Sequence, residues 1–155
     1  MLRILVICTG NTCRSPMAEA LLNEKIRQSG LTDQVKVLSA GLFAGSATAS
    51  TGAQAAMVKR GLDLATHKSR QLLPEYVQAA DLVLAMTQAH KRAVLALVPE
   101  AGGKIHTLAE YAGYPEDVPD PFGSGPEVYE ACAAVIAGLL DKAWQKIAAL
   151  AGKTE

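Results

Sequence analysis

Leu2-Arg3-Ile4-Leu5-Val6-Ile7 is a nearly unbroken run of branched apolar side chains, stopped by Cys8-Thr9-Gly10-Asn11. A short apolar run bounded by turn formers predicts a buried strand. Ser15-Pro16 then predicts a helix start, with Ser15 as N-cap and Pro16 in the first turn. Ala18, Leu21, Leu22 and Ile26 follow at helical spacing, and Gly30 closes the helix. Val35-Lys36-Val37-Leu38 predicts a second strand, ending at Ser39-Ala40-Gly41. Ala53, Ala56 and Met57 mark a helix over 52–60, and Pro74 opens a short one. Asp81-Leu82-Val83-Leu84-Ala85-Met86 is the clearest central strand, and Thr87 is placed to cap a helix over 88–98 with Ala93, Val94, Leu97 and Val98 on one face. Lys104 to Leu108 is a weaker fourth strand. Residues 126–150 carry the longest helix, with Val128, Cys132, Val135, Leu139, Ala143, Ile147 and Leu150 as its apolar stripe.

Strand and helix therefore alternate. That order predicts an α/β fold in three layers, a four-stranded parallel sheet with helices on both faces. No repeat, linker or low-complexity tract interrupts the 155 residues, so one domain, 1–155, is expected. Ligands of such sheets bind beyond the carboxyl ends of the strands, where the Cys8 turn sits.

Composition narrows the class. Fifteen basic and fifteen acidic side chains cancel, which leaves no basic footprint for nucleic acid or an anionic membrane. Seven aromatic residues give little for base stacking. No apolar run approaches a bilayer span, and Met1 to Gly10 lacks a long signal core. Three cysteines do not make a disulfide framework. A reduced, cytoplasmic chain is expected, with no metal and no cofactor; the oligomeric state stays open.

The chemistry concentrates in Cys8-Thr9-Gly10-Asn11-Thr12-Cys13-Arg14-Ser15. The segment is no Walker loop, because no Lys follows, and no dinucleotide fingerprint, because it holds one Gly. Cys8 and Cys13 are too far apart for a thioredoxin pair. What remains is C-x5-R-S between a strand and a helix, an anion trap. Thr9, Gly10, Asn11, Thr12, Cys13 and Ser15 form a loop that can curl its backbone N–H groups inward around phosphate oxygens. The helix behind it adds the positive end of its dipole. Arg14 closes the ring with a planar fork suited to two oxygens. Cys8 lies at the floor, where its sulfur is the nucleophile, and Ser15 is placed to give that sulfur its hydroxyl proton.

Such a nucleophile needs a partner that protonates the leaving group and later activates water. Asp117-Val118-Pro119-Asp120-Pro121-Phe122-Gly123 supplies carboxyls after the last strand. Asp120 is preferred to Asp117 because two prolines restrict its direction.

Cys8 to Glu19, Ser39-Ala40-Gly41, His67 to Gln71, Asp81 to Met86 and Asp120-Pro121-Phe122 together resemble the low-molecular-weight protein tyrosine phosphatases. The resemblance runs over nearly the whole chain. It implies that Cys8 attacks phosphorus to give a phosphocysteine, that Arg14 and the loop amides hold the oxyanions, and that Asp120 is the acid and then the base. It also implies that Asn11, Ser15, Ser39 and His67 form a network holding the loop, and that the partner is a phosphorylated protein. Two features depart from the common pattern. Thr12 stands where an aliphatic residue is usual, and Phe122 is followed by Gly123-Ser124-Gly125 rather than by Tyr or Trp. Both look like the bacterial protein-arginine phosphatases. A hydroxyl at the wall suits a polar guanidinium, whereas Phe43 and Phe122 would sandwich either a guanidinium or a phenyl ring. Phosphotyrosine and phosphoarginine both remain open. Arsenate reductases share the loop, but their relay needs two further cysteines, and only Cys132 is left.

Other residues read more plainly. Cys13 is either a small apolar residue facing the helix or a partner that captures oxidised Cys8 as a disulfide. Cys132 is expected in the core, His106 in a structural role and His90 on a solvated helix face. The competing class is a non-catalytic anion-binding or redox-sensing module, which would have no use for Asp120.

Overall fold

The structure is a computed structural model in which residues 1–153 are described. Its strands are β1 (Leu2–Cys8), β2 (Val35–Gly41), β3 (Leu82–Ala85) and β4 (Ile105–Thr107), and its helices are α1 (Arg14–Gln28), α2 (Thr51–Val58), α3 (Pro74–Ala79), α4 (Gln88–Leu97), α5 (Leu108–Ala112) and α6 (Pro126–Lys153). All strand pairs are parallel, in the order β2-β1-β3-β4. The expected α/β fold with a four-stranded parallel sheet is present.

Alternation along β1 sends its side chains to two cores. Leu2, Ile4, Val6 and Cys8 pack with Met17 and Leu22 of α1 and Ile136 and Leu140 of α6. Leu5 and Ile7 pack on the opposite face with Val77 of α3 and Val94 of α4. Met17, Leu22 and Ile136 are fully buried, each contributing about 1.5–3 kcal/mol of transfer free energy. The chain leaves β1 for β2 on one side and later reaches β3 on the other. The carboxyl end of β1 is therefore a topological switch point, where a crevice opens for ligand.

Three expectations need correction. The buried stripe of α6 runs through Tyr129, Cys132, Ala133, Ile136, Leu140, Ala143, Ile147 and Ala151, while Val128 and Val135 are exposed. Ala133, Ala143 and Ala151 are buried in that stripe among the larger side chains. On α4 the buried positions are His90 and Val94, with Val98 just beyond its end, and Leu97 is exposed. Finally, Leu108 opens α5 rather than closing β4. Thr107 and Glu110 form a capping box at that turn, so backbone N–H groups are satisfied by side chains and a helix of five residues holds.

Candidate active site

Cys8 is the last residue of β1, 3% exposed, and pairs in register with Gly41. The chain then turns within five residues and enters α1 at Arg14. The turn needs a left-handed residue, and Asn11 supplies it at φ 56°; among the described residues no other non-glycine has positive φ. Asparagine tolerates that region because its short side chain bonds locally. Here all of it is used. Asn11 Nδ2 donates to Ser15 Oγ (2.8 Å), Oδ1 accepts from the Arg70 amide (2.9 Å), and its carbonyl meets His67 Nε2 at 2.8 Å. Since Ser15 Oγ accepts from Asn11, its own proton is free for Cys8 Sγ, 2.9 Å away.

The loop is also held by backbone packing. A Cβ on Gly41 would stand 2.5 Å from the Thr9 carbonyl and 2.9 Å from the Asn11 nitrogen. Only glycine lets β2 approach the loop this closely. Thr9 O accepts from the Phe43 amide (2.9 Å) and Thr12 O from the Ser50 amide (3.0 Å).

Two expected roles change. Ser15 is not the N-cap of α1: Cys13 holds that position without a side-chain bond to the helix amides, and Ser15 is buried in the first turn against the sulfur. Ser39 does not join the Asn11 network, because its hydroxyl donates to Glu19 Oε1 and so ties β2 to α1. His67 does join it.

Arg14 is 5% exposed. Its Nη1 donates to the Val118 carbonyl (3.0 Å), and its Nη2 lies 3.7 Å from Asp120 Oδ2. Val118 is fully buried and its amide donates to Met86 O at the end of β3 (3.0 Å). The segment is thus anchored at Val118 and open at Asp120, whose side chain is 53% exposed. Asp120 Oδ1 accepts from the Phe122 amide (3.1 Å), the Asx turn that its neighbouring prolines favour.

A cleft of about 230 Å³ is lined by Cys8, Thr9, Gly10, Thr12, Cys13, Arg14, Asp120 and Phe122. It gathers the predicted nucleophile, guanidinium, carboxyl and the Thr12 and Phe122 walls in one place. Phe43 is not among its lining residues; it is 83% exposed, on the chain that bonds Thr9.

Several neighbours escaped the sequence reading. Cys13 Sγ lies 3.4 Å from Tyr129 Oη and 3.4 Å from Ser50 Oγ, and burial raises the Tyr129 hydroxyl above the usual range. Cys132 is in the core, as expected, and burial pushes its thiol up to about 11. His90 is not solvated. It is 6% exposed, and its Nε2 lies 2.8 Å from Thr9 Oγ1. Burial first and the Arg14 charge second pull it down to about 4, against the opposing pull of Asp117 and Asp120. A single His on a helix face gave no signal for this, whereas the Asn11 left-handed turn was legible as a turn former.

A sulfur at the floor of a turn, with a buried guanidinium and an exposed carboxyl lining the same cleft of an α/β fold, is an arrangement chemically suited to a tetrahedral oxyanion. The model of the low molecular weight phosphotyrosine protein phosphatases matches residues 3–152, and the chain belongs to that family. It is 42% identical over 147 residues to a protein-arginine-phosphatase of Geobacillus stearothermophilus, covering 94% of this chain and 95% of that one. It is 37% identical over 142 residues to a probable low molecular weight protein-tyrosine-phosphatase, EpsP, of Ralstonia solanacearum, covering 91% and 92%. Among solved structures it superposes with a TM-score of 0.89 on a cysteine-to-serine mutant of the YwlE arginine phosphatase carrying a phosphorylated active-site serine, at 38% identity over 94% of this chain and 95% of that one. Among the described residues no helix is long and apolar enough to cross a membrane.

Proposed function

We propose that this chain is a phosphoprotein phosphatase that works through a phosphocysteine on Cys8. The observation that carries the reading is the convergence of Cys8, Arg14 and Asp120 on one small cleft, with the Ser15 hydroxyl against the sulfur. Cys8 Sγ attacks phosphorus as the bond to the leaving atom breaks, and Asp120 gives that atom a proton. Water then attacks the phosphocysteine, Asp120 takes its proton, and the sulfur leaves as thiolate, stabilised by the Ser15 O–H. Arg14 and the loop amides hold the oxygens through both steps. Asn11 and His67 keep the loop in shape. The family membership and the phosphorylated active-site residue of the related structure support this sequence of events.

Both phosphotyrosine and phosphoarginine suit the cleft. Phe122, 73% exposed at the wall, offers an apolar face to a phenyl ring or a guanidinium. Thr12 tips the choice toward phosphoarginine, because a guanidinium carries N–H donors that a hydroxyl oxygen accepts and an aliphatic wall leaves unpaired. The similarity to named protein-arginine phosphatases points the same way. The test is kcat/KM on phosphoarginine and phosphotyrosine peptides for the parent and Thr12→Ile. The expected result is a higher parental value on phosphoarginine and a shift of about tenfold toward phosphotyrosine in the variant. An unchanged ratio contradicts the role of Thr12.

A further inference from the structure

The Asn11 side of the phosphate loop is held by His67, the Arg70 amide and Ser15. The opposite side, at Thr9, has a separate hold. His90 comes from α4, across the sheet from α1, and reaches Thr9 Oγ1 at 2.8 Å. Its own position is fixed, since its amide donates to the Thr87 cap (3.1 Å) and its ring is buried. Nδ1 is buried and has no hydrogen-bond partner among the described residues. Buried polar atoms without partners are rare and costly. A ring needed only for packing would be better replaced by an apolar one. The polar cost is met at Nε2, whose partner among the described residues is Thr9 of the loop wall.

The tautomer follows from the same geometry. If Nδ1 carried the proton, a buried N–H would be unpaired; with the proton on Nε2, only a lone pair is. Orphaned buried N–H groups are the rarer defect. His90 Nε2 therefore donates to Thr9 Oγ1. Burial keeps the ring neutral at working pH, so the hold adds no second cation beside Arg14. Three ties then fix Thr9: the His90 bond, the Phe43 amide on its carbonyl, and the contact with Gly41.

We propose that His90 is a positioning residue of the phosphate loop, acting through the Thr9 hydroxyl to hold the first residue after the nucleophile in the shape that binds phosphate. The proposal deepens the phosphatase reading and rests on it for turnover, but the binding of inorganic phosphate tests it without turnover.

The experiment is a cycle of Thr9→Val, His90→Phe and the double variant. Two quantities are measured: the Kd of inorganic phosphate, from NMR titration of the loop amides, and kcat/KM on p-nitrophenyl phosphate. Each single variant is expected to weaken phosphate about tenfold and lower kcat/KM by the same factor, and the double variant to lose no more than either single one. His90→Gln, whose side-chain amide can still donate to Thr9, is expected to recover most of the loss. If His90→Phe fails to fold, Thr9→Val and His90→Gln carry the test, because Thr9 is an exposed residue. Phosphate affinity within twofold of the parent in Thr9→Val, or losses that multiply in the double variant, overturns the proposal. If the parent binds phosphate but turns over no phosphate ester, the phosphatase reading fails while the binding arm still decides the role of His90.

Discussion

Arg14 and Asp120 lie 3.7 Å apart, yet one side chain is 6% exposed and the other 53%. The loop around Arg14 is tied at nearly every residue. Asn11 uses its carbonyl and both ends of its amide, Ser15 bridges it to Cys8, and β2 approaches Thr9 at Gly41 more closely than a side chain there would allow. The segment around Asp120 is fixed at Val118, buried again at Pro121, and otherwise mostly exposed as far as Pro126. The contrast fits the two tasks proposed for these residues. A cradle that stabilises charge by preorganised dipoles must not relax when charge arrives. A carboxyl that trades protons with a leaving group and then with water must meet both, so it belongs at the rim.

This contrast is broken most severely at Arg14. Arg14→Lys is expected to lower kcat/KM by about 10²–10³, since a point charge cannot replace the bidentate fork and its bond to Val118 O is lost. Activity within tenfold of the parent in steady-state assays would place oxyanion binding on the amides alone.

Asp120→Asn sharpens the other half. It is expected to slow a poor leaving group such as phenyl phosphate by about 10² while slowing p-nitrophenyl phosphate far less, because a good leaving group needs no proton. Phosphate affinity should stay near the parental value. Equal slowing of both esters would remove Asp120 as the acid.

Asn11→Ala tests the bracing itself. The variant loses the two side-chain hydrogen bonds of Asn11, keeps its carbonyl for His67, and puts alanine in the left-handed region, so unfolding free energy is expected to drop by about 2–4 kcal/mol in urea titration. Asn11→Gly removes the backbone strain and should recover part of it. Equal losses in both variants would mean the backbone angle adds nothing.

The smallest effect is one of pH. His90 lies where the two regions meet, against Thr9 and under the influence of Arg14, Asp117 and Asp120. Its folded value of about 4 is below its ordinary 6.5, so the unfolded chain binds the extra proton first. Stability is expected to fall by about 2 kcal/mol as pH drops from 7 to 4. His90→Gln should flatten that slope. Glu110, held down to about 2 chiefly by Lys91, loses its contribution in a lower window, from its ordinary 4.5 downward. An unchanged slope in His90→Gln would deny that His90 stays neutral.

Much of this was legible in the residues. The four parallel strands, the C-x5-R-S turn and Asp120 follow from short-range pattern: an apolar run, a turn former, a basic residue at a fixed offset. The exposed Val135 and the buried Ala133 of α6 were not legible, because period alone does not say which of two adjacent stripes meets the sheet. Ser39 was read into the Asn11 network, yet its bond goes to Glu19, a choice set by how β2 lies on α1. His90 was least visible. Its meaning depends on α4 being packed against the end of β1, a contact between residues 81 positions apart.

The most direct test of the phosphocysteine is a rapid-quench measurement with p-nitrophenyl phosphate. The account predicts a burst of one equivalent of p-nitrophenol per chain, a phosphoryl group recovered on the Cys8 peptide by mass spectrometry, and neither in Cys8→Ser on the same time scale. A burst without label on Cys8, or parental turnover in Cys8→Ser, would contradict it.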